Sequence, residues 1–231
     1  VFDALFDPLL GQYSDNVRTR WGRRHPFMYA AILPVAISYL FLWMPPSLGD
    51  QGLFIWLLIS AIAVRVSVSL YEIPSTALLA EFTDDYDERT KLVAARFFFG
   101  AVGGVAMMML SFGVFLKPSA DQPVGHLNLA GYSSYAIAAA IVMTLAIAIS
   151  ALGTQKRILQ RPAPPPPVKT TIGVMLKEML SILVHPAYIS ILLASIFFAI
   201  ASGLTLSLQV YFWTYLWELS SGQIASISSA I

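Results

Sequence analysis

Long apolar runs separated by short polar stretches set the pattern of this chain. A membrane-spanning helix needs about 20 mainly apolar residues. Five segments are long enough: 26–44, 53–82, 91–116, 132–153 and 188–219. Two shorter apolar pieces flank them. Residues 1–17 carry Asp3, Asp7 and Pro8 and run into the polar stretch 11–15, and a last piece opens near Gln223. The chain starts without Met and both ends fall inside apolar runs, so the expectation is a fragment.

Composition agrees with that pattern. Apolar residues make up 57% and charged residues 12%, against about 45–50% and about 25% in ordinary globular domains. Mean hydropathy is +0.71. A net charge of +1 offers no basic excess to a nucleic-acid backbone. With no cysteine, a disulfide scaffold, a cysteine-zinc site and a thiol nucleophile are excluded. The reading is an all-α integral membrane protein in a lipid bilayer.

The basic residues sit on alternate loops. Arg18, Arg20, Arg23 and Arg24 fill the first loop, Arg89 and Lys91 flank the third, and Lys156, Arg157, Arg161, Lys169 and Lys177 lie in the fifth. Eleven of the fourteen Lys and Arg therefore fall on one side, and the opposite loops carry only Lys117. The positive-inside rule makes the eleven-residue side cytoplasmic, including the loops around Arg20 and Pro165. The fifth loop contains a proline run at 161–167, which favours an extended spacer. Ile172, Met175, Leu176, Met179, Leu180 and Leu183 then recur at helical spacing, as in a surface helix. The organisation read from this is a first transmembrane bundle over 1–153, a cytoplasmic linker with an amphipathic helix over 154–186, and the start of a second bundle over 187–231.

Asp3, Asp7, Arg65, Glu72 and Arg96 fall inside apolar segments. A charge at the bilayer centre costs at least about 2.5–3.5 kcal/mol, so such residues face a bundle interior or a wet cavity. Asp3 and Asp7 are four apart and share a helix face. Two carboxylates there repel unless a cation or proton lies between them. Pairing with Arg65 or Arg96, or capping of a helix end, is the competing explanation. Arg65 and Glu72 are seven apart, also on one face, and form either an internal ion pair or a polar surface for hydroxyl groups. Pro74 predicts a kink in their helix. Arg96 opens a face continued by Gly100, Gly103 and Gly104, which reads as a close-packed helix seam. His25, His126 and His185 stand singly in loops, without metal-ligand spacing.

Two groups of residues carry a resemblance. Gly11-Gln-Tyr-Ser-Asp15 followed by Arg20-Trp21-Gly22-Arg23-Arg24 resembles the loop between the second and third helices of the major facilitator superfamily. Physically, such an Asp holds an arginine or a helix N-terminus as a breakable clasp between bundles. Asp3-Ala-Leu-Phe-Asp7-Pro-Leu-Leu-Gly11, Glu72-Ile-Pro74, Glu81, the loop 84–90 and Arg96-Phe-Phe resemble the glycoside–pentoside–hexuronide:cation symporter family. The motifs span residues 1–99, and the remainder matches in hydropathy and in its central loop.

The resemblance implies a partial major facilitator fold, with the segments corresponding to helices two to seven and part of eight. It implies cation-coupled symport of a sugar or glycoside by alternating access in a plasma (inner) membrane, with no cofactor and with Na+ or H+ as coupling ion. Asp3, Asp7 and Ser69 are the implied cation ligands. Glu72 and Arg96 are the implied substrate residues, with Thr76 where a family member stacks a tryptophan on the sugar. Arg65 has no family counterpart and is expected to remodel the pocket. Phe6 stands where a polar side chain helps hold sodium, which leaves the ion open. Gly11, Asp15, Arg20, Gly22, Arg23 and Arg24 form the implied conformational loop. The isolated chain is not expected to transport. Two rivals stand beside this reading: a lysolipid or other solute symporter of the same fold, and an intramembrane magnesium-dependent prenyltransferase. The Asp-xxx-Asp pair resembles a diphosphate site of such enzymes, with Asp84, Asp85, Asp87 and Glu88 as a second cluster. That cluster reads better as a solvated helix cap.

Overall fold

Backbone groups in lipid must be satisfied within their own segment, which favours helices throughout. The computed structural model describes residues 2–120, 122, 124–160, 173–174, 181 and 186–230, without the side chains of 2–5 and 228–230. Among them the named α-helices are α1 (Phe2–Asn16), α2 (His25–Trp43), α3 (Asp50–Phe82), α4 (Tyr86–Leu110), α5 (Ala130–Leu159), α6 (Pro186–Tyr211) and α7 (Ser221–Ala230). Helices α2 to α6 are long and apolar enough to cross a membrane, and they coincide with the five apolar segments. No strand is found among the described residues.

Local chemistry sets the helix boundaries. Pro26 sits in the first turn of α2, where its missing N–H costs nothing. Asp85 caps α4: its Oδ1 accepts from the Glu88 N–H at 2.9 Å, while Thr83 donates to Glu88 Oε2 at 2.7 Å. The acidic cluster is thus a helix cap. Helix α5 continues six residues into the expected linker, to Leu159. Gln155, Lys156 and Arg157 are good helix formers, and the two cations face the negative end of the helix dipole. Helix α3 remains helical through Pro74. The proline run and the surface helix expected over 172–183 lie outside the described residues, except for 173–174 and 181, which are helical.

The core is built from α2, α3 and α5. Met28, Leu78 and Ala151 form one buried cluster, and Ala31, Val35 and Ile147 form another beginning about one turn along. Small residues at these seams let the helix backbones approach closely. Tyr71 spans the two clusters and donates to Ser150 Oγ at 2.9 Å. Helix α1 packs on α3. The glycine seam expected on α4 does not form: a Cβ added at Gly100, Gly103 or Gly104 meets nothing within 4 Å. Helix α4 touches α7 and its own terminal turn more than it touches α3, so this stripe faces no described helix.

The two ends of the bundle differ. At one end lie Arg18, Arg20, Arg23 and Arg24. At the other, Trp43 stacks on Tyr132 (5.4 Å, 8°), Tyr135 meets Trp43 edge-on, and Trp56 donates to the Phe41 carbonyl at 2.8 Å. Such aromatic residues characterise a membrane–water boundary.

Candidate functional site

Helices α1 and α3 run in the same direction, each separated from α2 by one reversal of the chain. A Cβ at Gly11 would lie 3.8 Å from Ile73 Cγ2. One turn back on each helix, Asp7 stands level with Ser69. Ser69 is only 2% exposed. Asp7 is half-buried, and its Oδ1 is shut off from solvent with no hydrogen-bond partner among the described residues. A buried carboxylate oxygen without a donor is costly, and a cation or a proton removes that cost. One further turn back, residue 3 stands level with Arg65. The side chain of Asp3 is outside the described residues.

Positions 65, 69, 72 and 76 follow one another at spacings of four, three and four, so they form one stripe along α3. Arg65, Glu72 and Thr76 are exposed on it. The chain reverses between α3 and α4 at residues 83–85, and Glu72 and Arg96 are each twelve residues from Asp84. They therefore lie at the same depth, about 18 Å from that turn. Arg96 is half-buried. The sequence-derived site residues thus divide into a carboxylate with one buried oxygen and a buried hydroxyl at the level shared by α1 and α3, and an open polar level one turn nearer the arginine end.

At that end the loop between α1 and α2 closes on itself. Thr19 Oγ1 donates to the Gly22 carbonyl at 2.7 Å, and Gly22 takes a φ of +93°, which its missing Cβ permits. The turn delivers Arg24 to Asp15 (Nη2 to Oδ1, 2.8 Å) and to Glu81 (Nε to Oε1, 3.1 Å), and Arg23 also pairs with Glu81. The clasp expected between bundles is formed within the first one: it ties α1 and the loop to the end of α3. Glu81 was legible only as part of a motif, because its role depends on two arginines 57 and 58 positions away.

The histidines also depart from expectation. His25 is the first residue of α2, fully buried, with Nε2 3.0 Å from Thr154 Oγ1. His126 is 6% exposed in a 3-10 turn (Gly125–Leu127), with Nε2 2.6 Å from Thr214 Oγ1. Burial holds its imidazole below the ordinary histidine pKa. Tyr132 donates to the His126 carbonyl at 2.6 Å. Gly125 is packed so closely against Leu116, Lys117 and Ser221 that no side chain fits. Helices α6 and α7 therefore meet the first five helices at the end opposite the arginines. His185 lies outside the described residues.

A multi-pass helical membrane fold with a polar stripe at depth and an ion-paired loop at one end fits the major facilitator class. The chain belongs to the MFS/sugar transport protein family, whose pattern it matches over residues 1–230. It is 36% identical over 129 residues to an uncharacterised symporter of Synechocystis, covering 53% of this chain and 24% of that protein. The isoprimeverose transporter of Lactiplantibacillus pentosus is 27% identical over 111 residues, 48% of this chain and 23% of the relative. The sodium-dependent lysophosphatidylcholine symporter 1 of Gallus gallus is 28% identical over 127 residues, 53% of this chain and 24% of the relative. The matched stretch is thus about a quarter of each of these relatives. Family and relatives are transporters, so the prenyltransferase alternative is set aside.

Proposed function

We propose that this chain carries the ion-binding half of a cation-coupled symporter for a sugar or glycoside. The observation that carries the reading is Asp7, with a buried and unpartnered carboxylate oxygen level with the buried Ser69. Together with Asp3, a turn away on the same helix, these residues supply oxygen ligands for Na+ or a site for H+. Glu72 and Arg96, at one depth and one turn nearer the arginine end, supply an acceptor and fixed guanidinium donors for sugar hydroxyls. Thr76 adds a hydroxyl on the same stripe, and Arg65 sets the charge beside position 3.

The coupling follows from electrostatics. Without a cation the Asp3–Asp7 pair repels itself and destabilises the packing of α1 on α3. With it, the α3 stripe is held for solute, and the loaded carrier changes access. The arginine-rich end faces the cytoplasm in this reading, by the charge asymmetry of the loops. The contact of α6 and α7 with the first helices lies at the opposite end, so the arrangement is closed outward. The Asp15–Arg24–Glu81 clasp, formed within the first bundle, lets that bundle tilt as one body.

A lysolipid cargo is the second reading. It is supported by an apolar cavity of about 530 Å³ lined by Leu204, Leu208, Phe212, Trp213, Trp217 and Ile227, and by the lysophosphatidylcholine relative. Thermal unfolding of the detergent-purified transporter separates the two. A glycoside that raises the midpoint only with Na+ or at lowered pH supports the sugar symporter. A response to lysophosphatidylcholine alone replaces the substrate class.

A further inference from the structure

A second pocket lies at the arginine-rich end, outside the polar stripe. It has a volume of about 420 Å³ between the α1–α2 loop and the last two turns of α5, lined by Arg20, Trp21, Leu152, Gln155, Lys156 and Leu159. We propose that it binds the phosphate headgroup of an anionic phospholipid, with an acyl chain running along Leu152.

The pocket is held in shape by bonds that owe nothing to a ligand. The Thr19–Gly22 turn fixes the loop, and the Trp21 N–H donates to Thr19 Oγ1 at 3.2 Å. Trp21 meets Tyr29 edge-on at 5.8 Å, and Tyr29 donates to Gln155 Oε1 at 2.8 Å. The loop is thereby docked on α5, and the Gln155 amide is turned so that its NH2 group remains to donate.

Its charge is positive and available. Arg23 and Arg24 are engaged by Glu81 and Asp15. Arg20 instead lies over the Trp21 ring, 5.2 Å from its centroid. That cation–π contact orients the guanidinium without neutralising it. Arg20 and Lys156 are both exposed on the pocket wall, so two cations face one cavity. Basic pockets at helix ends on this face of a membrane are suited to lipid headgroups.

Depth selects a lipid over a soluble anion. Helix α5 has 30 residues, about 45 Å, which matches a bilayer with its headgroup layers. Lys156 thus falls at the headgroup level, and Leu152, one turn deeper and 64% exposed, reaches the hydrocarbon. The wall passes from charge to hydrocarbon over about one helical turn, as a phospholipid does.

The test is thermal unfolding of the detergent-purified protein with phosphatidylglycerol, phosphatidylcholine or inorganic phosphate, with bound lipid counted by native mass spectrometry. Phosphatidylglycerol is expected to raise the midpoint by several degrees and to be retained in the gas phase. Both effects should be lost in Arg20→Gln/Lys156→Gln and kept in Arg20→Lys/Lys156→Arg. Equal stabilisation and retention in the Gln variant, or by phosphatidylcholine, overturns the proposal. An equal shift with inorganic phosphate overturns the lipid assignment and leaves a soluble-anion site.

Discussion

Two carboxylates at opposite levels of the first bundle have opposite environments. Asp7 keeps an oxygen out of water without a donor. Glu81, by contrast, receives two arginines, one of them only 7% exposed. Removing Glu81 leaves Arg23, 18% exposed, without its partner and Arg24 with Asp15 alone, a loss of about 1–3 kcal/mol for charged hydrogen bonds. Glu81→Ala is therefore expected to lower stability by about that amount in chemical unfolding. Asp15→Ala should cost less, about 1 kcal/mol or below, because its side chain is 49% exposed. Equal losses would show that Arg24 is held chiefly by Asp15. Both carboxylates were legible in the sequence, one as a charge in an apolar run and the other through its motif. Their different environments were not, because burial and ion pairing depend on residues far away in the chain.

At the level of elements, both α4 and α6 end in a π-helical turn, Ser111–Phe115 and Phe212–Leu216, at the end opposite the arginines. Such turns occur often at functional positions. The first lies against α7, and the second presents Thr214 to His126. Gly125→Ala would place a Cβ 2.3 Å from the Leu116 carbonyl oxygen. The expected result is a loss of about 1–3 kcal/mol from overpacking, with the contact loosened. Measured stability equal to wild type would show that the 3-10 turn relaxes freely. The His126 contact should also respond to pH. Because burial lowers the folded-state pKa, the neutral ring stabilises the contact above the ordinary histidine value of about 6.5. That stabilisation is lost as pH falls below it, since the exposed ring then takes up a proton that the buried one resists. Spin labels at Leu129 and Leu216, both exposed, should report a longer distance at pH 5 than at pH 8, and no change in His126→Phe. The apolar segments located the spans well, because hydropathy records which residues can face lipid. The glycine seam on α4 failed as an expectation for a related reason: small residues permit close packing, but only a facing helix produces it.

At the scale of the molecule, two blocks of helices touch at one end, while α6 carries no buried residue between Pro186 and Tyr211. The order of the spans could be read from the chain, because hydropathy marks which segments can face lipid. The contact between the blocks could not be read, because it joins residues far apart in the chain, such as His126 with Thr214 and Gly125 with Ser221. The central claim is that a cation at Asp7 is coupled to solute on the α3 stripe. Isothermal calorimetry of glycoside binding to the transporter, with and without saturating Na+ and across pH, tests it most directly in wild type and Asp7→Asn. The account predicts that the cation tightens binding in wild type by about 5–150-fold, the usual range of coupling between two sites, and has no effect in Asp7→Asn. An undiminished cation effect in Asp7→Asn would contradict it.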